Sequence, residues 1–168
     1  HQVKKLEIKD ALTGLYNETF IRNRLDEEIK RAVSFQRPCA FILFDVDDFK
    51  EYQSRFGNIA AEVILKRISV ILQDSTTDID KTARFSDSTF ALILPEKNKR
   101  QCLEVAEAIR KRIEFIFSEE QDIRKRATLT GAVTENPIDG VTARDLINKA
   151  LEILSNRIEN KIKNRILS

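Results

Sequence analysis

The sequence predicts an α+β domain, an α/β sandwich in which an antiparallel central sheet is flanked by helices. Three observations carry that expectation. Cys39 to Phe44 is a continuous apolar run, as in a central strand buried on both faces. Two extended runs, Lys81 to Phe85 and Thr89 to Leu94, flank the turn residues Ser86-Asp87-Ser88 and read as a hairpin. Most other apolar residues recur at helical spacing. The chain has 168 residues, of which 42% are hydrophobic, enough for one domain with its own core.

The elements follow in order. Val3 to Ile8 is short and charged and suits the last turns of a helix arriving from upstream. Asn17 is placed to cap a helix from Glu18 to about Phe35 that buries Phe20, Ile21, Leu25, Ile29, Ala32 and Val33. Arg37-Pro38 stops it. The strand that follows ends in Asp45-Val46-Asp47-Asp48. A short helix then reaches Gly57, a good residue just past a helix end. A second helix, about Ala60 to Leu72, buries Val63, Ile64, Ile68 and Ile71. After the hairpin, Pro95 closes the second run, and a helix from Lys99 to Phe117 buries Leu103, Val105, Ala106, Ile109, Ile113 and Ile116. A strand from Ala127 to Val133 and a turn at Asn136 to Gly140 lead to a last helix, Thr142 or Ala143 to about Asn160. Its stripe is Leu146, Ile147, Ala150, Leu151, Leu154 and Ile158. The middle of this order, βααββαβ, is the ferredoxin-like arrangement, in which helices cover one side of an antiparallel sheet. An acid at the hairpin would stand beside Asp45, as in palm-type nucleotidyl-transfer sites that hold two metal ions.

Composition bounds the chemistry. With 29 basic and 27 acidic residues the net charge is +2, which gives no general attraction to nucleic acid or to an anionic membrane. There are only four glycines, where average usage of about 7% would give roughly a dozen. A glycine-rich phosphate cradle is therefore suspect. His1 is the one histidine and reads as a tag remnant, so histidine bases and histidine zinc sites are excluded. Residues 1–9 are expected to be that remnant plus the end of an upstream signalling helix, and 10–168 the domain. Cys39 and Cys102 lie in apolar segments without CxxC spacing and read as buried thiols of a reduced, cytoplasmic protein.

Several motifs now fall into one order. Asp10-Ala11-Leu12-Thr13-Gly14-Leu15-Tyr16-Asn17 resembles the DxLTGLxN opening of GGDEF domains, the diguanylate cyclases that make cyclic di-GMP from two GTP. Phe44-Asp45-Val46-Asp47-Asp48-Phe49-Lys50 is similar to their FDxDxFK, and Phe56-Gly57 to the FGH that follows. Ala83-Arg84-Phe85 with Ser86-Asp87-Ser88-Thr89-Phe90 stands in the place of ARYGG[D/E]EF. Ala106-Glu107-Ala108-Ile109-Arg110 matches AExIR, and Ala150-Leu151 the late ADxAL. The resemblance runs from Asp10 to about Asn160 and implies the nucleotidyl-cyclase fold of palm type.

It also implies a site with parts missing. The family's metal positions are Asp45 and, through its backbone carbonyl, Val46. The two signature acids, one for metal and one for the attacking hydroxyl, are replaced by Ser88 and Thr89. Mg²⁺ wants anionic oxygen, and phosphoryl transfer rests on charge neutralisation, so this loss is severe. Ser86 and Asp87 replace the signature glycines and add Cβ atoms, and Asp87 also adds a charge that repels phosphate. The guanine-reading positions are Gln53 and Glu62, each one methylene longer than the family's residue. The late phosphate-gripping Lys and Arg correspond to Ser155 and Glu159. The inhibitory RxxD maps onto Thr77-Asp78-Ile79-Asp80 and keeps Asp80 without the Arg, and Arg110 completes that vestige.

Taken alone, Asp45, Asp47 and Asp48 fit a strand end and helix cap as well as a metal site. Gln53 and Glu62 fit solvated helix positions, Arg84 and Arg110 surface ion pairs, and Phe85 and Phe90 the hairpin core. Arg124-Lys125-Arg126 sits beside Glu119, Glu120 and Asp122 and reads as a solvated loop.

The resulting expectation is a non-catalytic GGDEF-like regulatory or interaction module of a bacterial cyclic di-GMP-type signalling protein. No cofactor is expected, with Mg²⁺ only alongside residual nucleotide binding. The expected partners are an upstream sensor domain, a second copy or another protein. The alternatives are a GTP- or ATP-binding domain with little turnover, or a cyclic di-GMP receptor. Neither nucleic acid nor membrane is an expected partner.

Overall fold

The computed structural model describes residues 7–168, so most of the opening charged segment lies outside the described residues. Helix α1 spans Glu18–Ser34, and Asn17 caps it by accepting a 2.9 Å bond from the Phe20 amide, as the sequence predicts. Strand β1 is Cys39–Val46, followed by α2 (Phe49–Phe56) and α3 (Asn58–Asp74). Gly57 joins the two helices at φ +92°, a left-handed conformation that glycine adopts without a Cβ clash. Strands β2 (Lys81–Arg84) and β3 (Thr89–Pro95) form the hairpin, and α4 is Lys99–Ser118. Strand β4 is Leu129–Asn136, α5 is Ala143–Glu159, and β5 is Ile166–Leu167.

The sheet order is β2-β3-β1-β4-β5. Strand β1 is antiparallel to both β3 and β4, and β5 adds to β4 in parallel. The alternation of β1 sends its side chains to two separate cores. Ala40, Ile42, Phe44 and Val46 pack against the α3–α4 layer, with Ile64, Ile68, Ile109 and Ile113. Cys39, Phe41 and Leu43 pack against the α1–α5 layer, with Leu25, Ile29, Leu146 and Ala150. Helices therefore cover both faces, as expected of a flanked sheet with β1 buried on both sides, and beyond the one-sided cover of the ferredoxin-like arrangement. Two layers are needed because β1 has no polar face to leave wet. Each fully buried Ile, Leu, Phe or Val here stabilises the fold by about 1.5–3 kcal/mol.

Other differences concern boundaries and helix faces. Strand β4 runs three residues further than Val133, to Asn136. Strand β5 lay beyond the sequence signals, since two residues carry no periodicity. Val33, Val63, Leu151 and Ile158, expected in the core, are exposed, because they lie at the flanks of their helical stripes. The place expected for Ile158 is taken by Arg157, which is only 5% exposed. Among the described residues, no helix is long and apolar enough to cross a membrane.

Candidate functional site

The site grows from the carboxyl end of β1. Asp45 continues the Cys39, Phe41, Leu43 set and so faces the α1–α5 side. The ladder is prolonged by one bond, from the Asp47 amide to Thr128 O at 3.0 Å, and both Asp45 and Asp47 reach the same arginine. On α5, Ala143, Leu146, Ile147, Ala150, Leu154 and Arg157 form the buried stripe, so the helical repeat delivers a guanidinium to these carboxylates. Arg157 Nη2 donates to Asp45 Oδ2, and Arg157 Nη1 donates to Asp47 Oδ1.

Asp47 is saturated. Its Oδ1 accepts from Thr130 Oγ1 at 2.7 Å as well as from Arg157. Its Oδ2 accepts from Thr128 Oγ1 at 2.6 Å and from the Asn164 backbone amide at 2.9 Å. A carboxylate has about four lone-pair sites, and here each is used. Asp45 Oδ1 accepts from Ser88 Oγ at 2.8 Å. Asp48 occupies the position before α2 at φ +55° but makes no capping bond, and its carboxylate accepts instead from Lys163 Nζ at 2.7 Å.

The hairpin brings the signature positions against the end of β1. Thr89 pairs with Asp45 and Phe90 with Phe44 across the β1–β3 ladder. The Val46 amide donates to Ser88 O at 3.0 Å, which holds the Ser88 hydroxyl against Asp45. Ser86 and Thr89 hydrogen-bond to each other through their hydroxyls. Asp87 is exposed at the tip, and its backbone carbonyl accepts from Arg84 Nη2 at 3.0 Å. Arg84 also approaches Asp10 at 3.4 Å, while Asp10 closes the Asp10–Leu15 turn by accepting from the Thr13 amide and hydroxyl. The opening motif thus braces the hairpin.

Mg²⁺ does not fit these side chains. At the expected position Asp45 already meets Arg157 and Ser88, so beside the Val46 carbonyl it offers no uncommitted charge. Neighbouring Asp47 has no free lone pair, and the hairpin contributes a hydroxyl in place of an acid. No group of three Asp, Glu, His or Cys side chains placed to hold a metal ion occurs among the described residues.

The remaining candidates lie apart. A cleft of about 650 Å³ is lined by Asp45, Val46, Ser88, Arg157, Lys161 and Lys163, among others, and neither Gln53 nor Glu62 lines it. Gln53 sits half-buried on α2, where its carbonyl closes the helix by accepting from the Gly57 amide at 2.8 Å. Glu62 is exposed on α3. Ser155 and Glu159 are exposed on α5, while Lys50, Arg157, Lys161 and Lys163 are the cations that line the cleft. Thr77 and Asp80 bond to each other, with the Thr77 amide and hydroxyl both donating to Asp80 Oδ2 at 3.0 Å. Arg110 bonds Glu107, Glu114 and Asn164 instead.

Sequence reasoning missed Arg157, Thr128, Thr130 and Asn164. One signal was present: Arg157 stands seven residues after Ala150 and three after Leu154, on the apolar stripe. A charge at such a position needs a buried partner.

The family model for the diguanylate cyclase GGDEF domain matches residues 7–165. The chain belongs to the GGDEF domain family. It is 27% identical over 151 residues to the response regulator PleD of Caulobacter vibrioides, covering 88% of this chain and 33% of PleD. It is also 27% identical over 157 residues to diguanylate cyclase DosC of Escherichia coli, covering 92% of this chain and 34% of DosC. The chain thus spans about a third of the length of these curated relatives. Solved GGDEF domains share the fold. That of DgcB from Caulobacter crescentus, in complex with c-di-GMP, superposes with a TM-score of 0.86 at 18% identity, covering 99% of this chain and 95% of that one. That of FimX from Pseudomonas aeruginosa gives 0.85 at 21% identity, covering 97% and 100%.

Proposed function

We propose that this GGDEF domain is a catalytically inactive regulatory or interaction module of a cyclic di-GMP-type signalling protein. One observation carries the reading: the signature side chain facing Asp45 is the Ser88 hydroxyl, where metal-assisted phosphoryl transfer needs a carboxylate. Thr89 follows it as a second neutral residue, and Asp87 is turned out at the hairpin tip. A scaffold kept in full around such a site suits a part that transmits or receives a signal by contact. An upstream sensor in the same cytoplasmic chain, a second copy and another protein are the partners this reading calls for. Incubation with GTP and Mg²⁺ or Mn²⁺ is expected to yield no cyclic di-GMP. Product formation would overturn the reading.

A second reading, GTP or ATP binding without turnover, is favoured by Lys50 and Lys161 along the cleft, cations that stand apart from the Arg157 and Lys163 ion pairs. Calorimetric titration with GTP, ATP and cyclic di-GMP tests it, and a flat trace for all three retires it.

A further inference from the structure

The cleft contains an occupant of its own. We propose that Arg157 is the resident cation of the Asp45–Asp47 pair, standing where a divalent metal would otherwise neutralise it, and that this contact fastens the C-terminal segment over the cleft without metal.

The argument starts from charge. Two carboxylates brought together at a strand end repel each other unless a cation lies between them, and the repulsion grows as water is excluded. The Asp47 side chain is 3% exposed and that of Asp45 20%. Arg157 meets both with separate terminal nitrogens. Its Nε is buried with no hydrogen-bond partner among the described residues, so the guanidinium is placed by the two acids rather than by a wider network of its own.

The same contact organises the tail. Asp47 accepts from the Asn164 amide, and Arg110 Nη1 donates to Asn164 Oδ1 at 2.8 Å. Two residues later β5 begins, and the Gly131 amide donates to Arg165 O at 2.9 Å. Lys163 is tied to Asp48. Asp47 therefore joins β1, α5 and the tail through one carboxylate. A metal ion entering here would have to displace Arg157 and claim the Asp47 lone pairs that now accept from Thr128, Thr130 and the Asn164 amide.

The inference shares its site with the proposed function but has its own readouts. An inactive protein that binds metal at Asp45 would leave the function standing and sink this inference alone. The test uses the intact protein and Mn²⁺ as the probe, followed by paramagnetic resonance and thermal unfolding. The wild type is expected to leave millimolar Mn²⁺ free and to melt at the same temperature with or without it. Arg157→Gln is expected to melt lower, to regain part of the loss in Mn²⁺, and to lose that gain when Asp45→Asn is added. Trypsin is expected to cut its tail at Lys161, Lys163 or Arg165 at least tenfold faster. Mn²⁺ binding by the wild type that disappears in Asp45→Asn overturns the proposal. So does an Arg157→Gln protein that neither gains metal dependence nor loosens its tail. If Arg157→Gln does not fold, Arg157→Lys keeps the charge without the fork. It is expected to fold with a tail cut faster than in the wild type, and an unchanged rate would count against the inference.

Discussion

Ser88 Oγ lies 2.8 Å from Asp45 Oδ1, a hydroxyl donating to a carboxylate across the β3–β1 boundary. The hairpin side chain that meets Asp45 thus donates a hydrogen bond to the carboxylate instead of adding a charge beside it. Ser88→Ala is expected to cost about 1 kcal/mol, the usual net value of one such bond. Ser88→Asp is expected to cost more at neutral pH than in acid, because it sets like charges together. Urea unfolding of both variants at pH 7 and pH 4 reads the difference.

Removing Arg157 leaves two carboxylates facing each other. Breaking a buried pair from one side costs about 3–5 kcal/mol, so Arg157→Ala is expected to fall in that range by urea unfolding. Adding Asp47→Asn is expected to recover part of it, since the cost is the acids' unpaired charge. Equal costs for the single and double variants would contradict this.

Asn164 reports on the tail through Glu114. Its side-chain amide donates to Glu114 and is the largest cause holding that carboxyl below the usual range, with Arg110 adding to it. A lowered folded pKa contributes stability above the unfolded value and loses it as pH falls through the folded one. Asn164→Ala is therefore expected to shift the Glu114 titration upward and to shrink the acid-side loss of stability. Carbon-detected NMR titration reads the first, and denaturation from pH 6 to pH 3 the second.

The cysteines provide a check on the core. Burial pushes the Cys39 thiol up to about 12, and burial raises Cys102 as well. Both are expected to resist a thiol reagent at pH 8 in the native state and to react only as fast as the protein opens. A fast native reaction would show that one of the two helical layers is loosely packed.

The sequence made β1 legible because an unbroken apolar run of that length has few other meanings. The capping of α1 by Asn17 and the end of α2 at Gly57 were legible for the same local reason. That both faces of β1 are buried was legible too, but which helices cover which face was not, since period-2 alternation vanishes from a strand that is apolar on both faces. The hairpin acids' absence was plain from Ser88 and Thr89. The cation that meets Asp45 and Asp47 was hidden, because Arg157 and Asp47 are 110 residues apart and only the fold brings them together. The tail was equally hidden, as its hold on Asp47 runs through the backbone amide of Asn164.

The most direct measurement is a crystal structure of the protein grown with GTP and Mn²⁺, using the anomalous signal of the metal. The account predicts no Mn²⁺ peak within coordination distance of Asp45, with the Arg157 guanidinium still between Asp45 and Asp47. A Mn²⁺ ion bound to Asp45 and the GTP phosphates, with Arg157 displaced, would contradict it.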